Sequence, residues 1–198
     1  MSAYHGYPLD EFTGTKLVEY QKLLSTDARR LGLIGFSNSQ LPTEILRSLL
    51  FADIIPEGAR VIDVGSGAGL PGIPLGILRG GVDLVEPHVR AVGFLEKVIR
   101  TLSLDVRVHL GTAEQVAQGG DCQPADYVVA RALAPSSEAA RICAVVCKPG
   151  GKILLSARSE ESQPSLDPRF QWEGTMSIKG PGIVQRVNVI TLKSTHRL

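Results

Sequence analysis

Val61-Ile62-Asp63-Val64-Gly65-Ser66-Gly67-Ala68-Gly69-Leu70-Pro71-Gly72-Ile73-Pro74 is the stretch that decides the fold. A short β-branched run closes on an acid, and glycines then follow at alternate positions. This pattern predicts a buried strand turning sharply into a helix, with bare backbone on which a ligand can lie. A Cβ at those glycines would block a positive φ or hold the ligand away. Downstream, Val82-Asp83-Leu84-Val85 forms a second apolar run that ends in Glu86. An acid at the tip of a second strand is placed to accept hydrogen bonds from two ribose hydroxyls.

Two cofactor classes fit the glycines. Gly67-x-Gly69-x-x-Gly72 satisfies the dinucleotide fingerprint, and Gly65-x-Gly67-x-Gly69 after Asp63 is the pattern of S-adenosylmethionine (SAM) methyltransferases. The chain has 198 residues and no evident second domain for a dehydrogenase substrate. Pro71 and Pro74 also occupy the first turn of the following helix, where a pyrophosphate needs free N–H groups. SAM is therefore the expected cofactor.

Outward from this centre, apolar periodicity predicts strands at 60–64, 82–86, 106–110, 127–130, 152–156, 175–178 and 184–192, the last two as an antiparallel pair. Helices are expected over 9–35, 44–51, 73–78, 89–104 and 136–147. Strands alternating with helices predict an α/β, Rossmann-like class I methyltransferase fold, a mostly parallel seven-stranded sheet with helices on both faces. Residues 1–56 read as an N-terminal helical extension on the substrate side, and 57–198 as the SAM-binding core. Ligands in such sheets lie beyond the carboxyl ends of the strands. Those ends carry Gly65, Glu86, Ala113-Glu114, Arg131 and Ala157.

With 21 basic and 20 acidic residues the net charge is +1, which argues against a strongly basic nucleic-acid binder. At 43% hydrophobic the chain can build a core. No apolar run approaches the ~20 residues of a membrane span, and Met1 to Tyr7 lacks a signal-peptide layout, so a cytoplasmic enzyme is expected. Cys122, Cys143 and Cys147 show no metal-ligand spacing. Cys143 and Cys147 are placed one helical turn apart, and all three read as buried thiols, with no metal expected.

The glycine-rich stretch resembles the signature of the RsmG (GidB) methyltransferases through Asp63-Val-Gly-Ser-Gly-Ala-Gly-Leu-Pro-Gly-Ile-Pro-Leu75. The resemblance continues through Glu86-Pro87, Arg90, Phe94-Leu95-Glu96, Ala113-Glu114 and Val129-Ala-Arg-Ala-Leu-Ala-Pro135, and touches 17–24 and 31–35. Members of that family make N7-methylguanosine in 16S ribosomal RNA. The resemblance implies a SAM site built from Asp63, Gly65, Ser66, Gly67, Gly69, Leu70, Glu86 and Pro87. Ala113 and Glu114 would flank the adenine, and Arg131 would stand beside the methionine end or the substrate.

Departures from the family pattern fall on the substrate side. Thr43, Glu44 and Arg47 stand where the family carries Arg-His-x-x-Asp/Asn, and only Ser48 matches; Ala157-Arg158 replaces Lys-Gly; His88 replaces an apolar residue. These changes lead to the expectation of a heteroaromatic small-molecule acceptor, indole- or purine-like, in a bacterial specialised (natural-product) metabolism. In that reading His88 is the general base and Tyr20, with Tyr4 or Tyr7, orients it or stacks on the substrate. The alternative is 16S rRNA in the 30S subunit, with Arg29, Arg30, Arg47, Arg90 and Arg158 on phosphates. A domain that binds SAM or a dinucleotide without turnover is the third reading.

Overall fold

The computed structural model describes residues 2–157, 159 and 163–194. It opens with an unanticipated hairpin, β1 (Ser2–Tyr4) and β2 (Tyr7–Leu9), turned by His5 and Gly6, both at positive φ. Behind it lies a seven-stranded sheet. In chain order its strands are β3 (Val61–Val64), β4 (Val82–Glu86), β5 (Val106–Leu110), β6 (Ala125–Ala130), β7 (Cys147–Ala157), β8 (Phe170–Gly180) and β9 (Ile183–Leu192). Their spatial order is β5-β4-β3-β6-β7-β9-β8. β9 pairs antiparallel with both β7 and β8, while the pairings among β3 to β7 are parallel. The chain turns outward in opposite directions on either side of β3 and β6. That reversal is the switch point where such sheets receive ligands.

Alternation along the strands divides the apolar side chains between two faces. Val61, Val82, Leu84, Val129 and Leu154 meet one cluster. It is completed by α1 (Glu11–Leu23), α2 (Leu41–Leu49), α3 (Gly72–Arg79) and α4 (Val89–Leu102). Ile62, Val64, Val85, Val128 and Ile153 meet a second cluster under α5 (Ala113–Gly119) and α6 (Ser136–Ala144). Helices therefore cover both faces, as the sequence predicts.

Several boundaries differ from expectation for identifiable reasons. The long N-terminal helix stops short of residue 35. α1 passes into a wide turn at Leu24–Ala28, and Gly32 at φ +71° then ends the helical path, with Leu33 N–H bonded to Ala28 O at 2.9 Å. Residues 33–37 are left irregular beside the sheet's carboxyl end. α6 ends at Ala144 and β7 begins at Cys147, so Cys143 and Cys147 do not share a helix; all three cysteines are free and buried. β8 begins at Phe170, ahead of the strand expected at 175–178.

Candidate active site

The loop after β3 is held by a small set of bonds. Asp63, next to last in the buried strand β3, has 0% exposure, and its Oδ2 accepts from Gly72 N–H at 2.9 Å, fastening the start of α3 to β3. Ser66 Oγ donates to Asp63 O at 3.0 Å. Gly65, Gly67 and Gly69 all take positive φ, but they serve different ends. Gly65 and Gly67 line a cleft, and a Cβ on Gly67 would meet nothing nearer than Gly65 O at 3.9 Å. A Cβ on Gly69 would lie 2.4 Å from Ile73 Cγ1, and one on Gly72 would lie 2.3 Å from Leu84. These last two glycines exist for packing rather than for ligand approach.

That cleft has a volume of about 590 Å³ and opens beyond the carboxyl ends of the strands. Its floor is Gly65, Ser66, Gly67, Ala68 and Leu70. Arg131 and Ala132 follow β6, and Ser156 and Ala157 end β7. Leu33, Ile34 and Phe36 come from the segment after α1, Glu44 and Arg47 from α2, and Val184, Gln185 and Arg186 from β9. The sequence pointed to the floor, to Arg131 and to the altered Glu44 and Arg47. It did not point to Phe36, Gln185 or Arg186, because nothing local marks residues that become neighbours only when β9 inserts beside β7.

Charge at the mouth is organised by Glu44. This nearly buried carboxylate pairs with Arg131 and, at 2.9 Å, with Arg47. Arg186 adds a third guanidinium, and its buried Nε has no hydrogen-bond partner among the described residues. Among the residues lining the cleft, three cations face one carboxylate, so the mouth is positive although the chain's net charge is +1. Ala132, a residue with a Cβ, is held at φ +53°, a backbone strain placed at the cleft wall.

The second acid is placed as its position in the sequence suggests. Glu86 Oε2 accepts from Gly67 N–H at 2.8 Å, and Oε1 accepts from His88 N–H at 2.9 Å and lies 2.7 Å from His88 Nδ1. A carboxylate offers about four acceptor positions, so three are engaged. Of these three contacts, the one to the His88 ring is the most easily given up, because that side chain is 82% exposed. His88 stands at the start of α4 and is not among the residues that line the cleft. Pro87 lies on a separate hollow. Ala113 and Glu114 open α5, whose start is secured by a Thr112–Gln115 capping box; Ala113 is buried and Glu114 exposed.

Tyr20 is also placed otherwise than expected. It is fully buried, and its hydroxyl donates to Ala68 O at 2.7 Å, so it cannot stack on a substrate or orient His88. It positions the glycine loop from the N-terminal side. Tyr4 and Tyr7 belong to the β1–β2 hairpin, where Tyr4 donates to Gln21 Oε1 at 2.6 Å and Tyr7 to Asp53 Oδ1 at 3.1 Å. Arg29 bonds Phe36 O at 2.7 Å and Asn38 Oδ1 at 3.1 Å, which fixes the segment that supplies Phe36. Arg30 pairs with Asp27, and Arg158 lies outside the described residues.

Two features fit a SAM-like nucleoside cofactor. The backbone over Gly67 is open, with the Glu86 carboxylate bonded to it. Asp63 Oδ1 is buried without a partner among the described residues, a deficit that an ammonium or an ordered water would remove.

The family model described as rRNA small subunit methyltransferase G, GidB, matches residues 13–179. The chain belongs to the GidB family. A relative from Corynebacterium jeikeium named ribosomal RNA small subunit methyltransferase G is 39% identical over 187 residues, covering 88% of this chain and 83% of its own length. Relatives of the same name from Salinispora tropica and Frankia casuarinae are 41% and 36% identical. The match covers 69% and 80% of this chain but only 60% and 63% of theirs. The chain thus spans about three fifths of the length of these two GidB relatives. Among solved structures, a mutant of MtNAS in complex with S-adenosylmethionine superposes with a TM-score of 0.61 at 20% identity, covering 91% of this chain and 75% of that one. TrmN from Thermus thermophilus gives 0.56 at 19%, covering 85% and 53%. Both likenesses bear on the fold alone.

These relatives correct the expectation of a heteroaromatic small-molecule acceptor in specialised metabolism: the names they carry are those of rRNA methyltransferases. The physical reason lies at the mouth. The altered residues Glu44 and Arg47 pair with each other, and Arg131 and Arg186 beside them leave the rim positively biased, unlike a pocket for a neutral ring.

Proposed function

We propose that the protein transfers a methyl group from SAM to a guanine N7 of 16S rRNA in the small ribosomal subunit, in the bacterial cytoplasm. The observation that carries this reading is the cleft at the sheet's switch point, walled by Arg47, Arg131 and Arg186, in a chain of the GidB family. Among the described residues no helix is long and apolar enough to cross a membrane.

When bound, the cofactor supplies a methyl group activated by a sulfonium. The chain's part is placement. Gly67 and Glu86 would hold the ribose end, and Asp63 would meet the methionine ammonium directly or through water. Leu33, Ile34 and Phe36 exclude water from the acceptor side. Guanine N7 carries a free lone pair, so an acceptor of this kind would need no side chain to remove a proton. That agrees with a site in which His88 stands outside the cleft. Arg131 and Arg186 offset the negative phosphates that must come close, while Glu44 holds Arg131 in register.

The test uses methyl-labelled SAM with undermethylated 30S subunits, total RNA, and a panel of indoles and purines. Label in the 30S fraction is the expected result. Label confined to small molecules would overturn the reading.

A further inference from the structure

We propose that Asp83, His109 and Cys122 form a binding site for a zinc-class divalent metal ion at the outer edge of the sheet. The three residues come from β4, from β5 and from the turn before β6. A carboxylate oxygen, a ring nitrogen and the thiol sulfur lie within 4.8 Å of one another. Tetrahedral zinc with bonds of about 2.0–2.3 Å holds its donors roughly 3.3–3.6 Å apart. Asp83 Oδ1 and His109 Nε2 are already at 2.9 Å, so the set needs only side-chain adjustment to close on an ion.

The surroundings match what a metal site requires. Asp83 and His109 side chains are 7% and 14% exposed, and Cys122 is buried. Arg60 donates to the other Asp83 oxygen at 2.7 Å and is itself held by Gln123 O at 3.0 Å. A hydrogen bond to the non-ligating oxygen aims a carboxylate, as outer partners do in metal sites. Thiolate, imidazole and carboxylate together select zinc over magnesium or calcium. His109 also borders a hollow of about 670 Å³ shared with Gln115 and Asp121, which leaves a fourth position for water.

The site is separate from the cleft. Asp83 points to the α5 face of the sheet, whereas Glu86, three positions on, falls on the opposite face by strand alternation. The metal would tie β4, β5 and the turn ahead of β6 together. The sequence concealed it because Asp83 and His109 are 26 residues apart and no ligand pair has finger-like spacing.

Chelator-stripped protein titrated with Co²⁺ tests the proposal. One equivalent should produce a thiolate-to-cobalt charge-transfer band that Zn²⁺ displaces. The band should vanish in Cys122→Ser and persist in Cys147→Ser. No band in the wild type, or a band surviving in Cys122→Ser, would overturn it. Where Cys122→Ser does not fold, His109→Gln decides in the same way: loss of stoichiometric binding supports the site and unchanged binding refutes it.

Discussion

The Asp63 carboxyl has no exposure to water, one oxygen bonded to Gly72 N–H and the other without a partner among the described residues. Burial raises its pKa to about 7, against the lowering effect of the Gly72 bond. A carboxyl raised in the fold contributes stability that is complete below its unfolded value, near 4, and is lost as pH rises through 7. The cofactor-free protein should therefore lose stability between about pH 4 and about pH 8. Asp63→Asn, which can still accept from Gly72, should flatten that loss, by a few kcal/mol at about 1.4 kcal/mol per unit, in urea titrations across the range. The same substitution should weaken SAM binding. His88 makes the opposite case. Its ring is exposed and outside the cleft, so His88→Ala should leave methyl transfer within about twofold, whereas a general base would cost about 10²-fold or more. The sequence made His88 conspicuous because it departs from the family pattern next to a cofactor acid, yet adjacency along the chain did not bring the ring to the cleft.

At the level of elements, the β3–loop–α3 unit was legible because its constraints are local. Strand, acid and glycines lie in one stretch, and each residue's role follows from its nearest neighbours. The division of labour among the glycines was not legible, since it depends on Ile73 and Leu84 packing from α3 and β4. Gly69→Ala tests it: a Cβ 2.4 Å from Ile73 Cγ1 in a backbone at φ +93° should destabilise the fold by about 1–3 kcal/mol, seen as a lower urea midpoint with the slope unchanged. An equal loss of SAM affinity without loss of stability would mean that Gly69 faces the ligand after all. The N-terminal element was half legible. Apolar spacing located α1, but Gly32 ends it early, and the irregular segment that follows supplies Leu33, Ile34 and Phe36 to the cleft. Tyr20, buried within α1, joins this extension to the glycine loop through Ala68 O.

Over the whole molecule, strand alternation and element order were enough to foresee a mostly parallel sheet covered on both faces. Long-range neighbours were not foreseeable. Arg186 reaches the cleft only because β9 inserts between β7 and β8, and the Glu44–Arg131 pair spans two elements 87 residues apart. This assembly gives a nearly neutral chain a positive mouth, a local bias that net charge does not report. Arg47→Ala and Arg186→Ala should each reduce the slope of log affinity for 30S against log salt by about 1, in filter-binding titrations, with SAM affinity unchanged. A slope unaffected by either change would place the RNA elsewhere. The most direct measurement is nucleoside analysis of 16S rRNA after reaction of undermethylated 30S subunits with methyl-labelled SAM. Labelled N7-methylguanosine approaching one per subunit is the expected result; label in any other nucleoside, or none in the rRNA, would contradict guanine-N7 methylation.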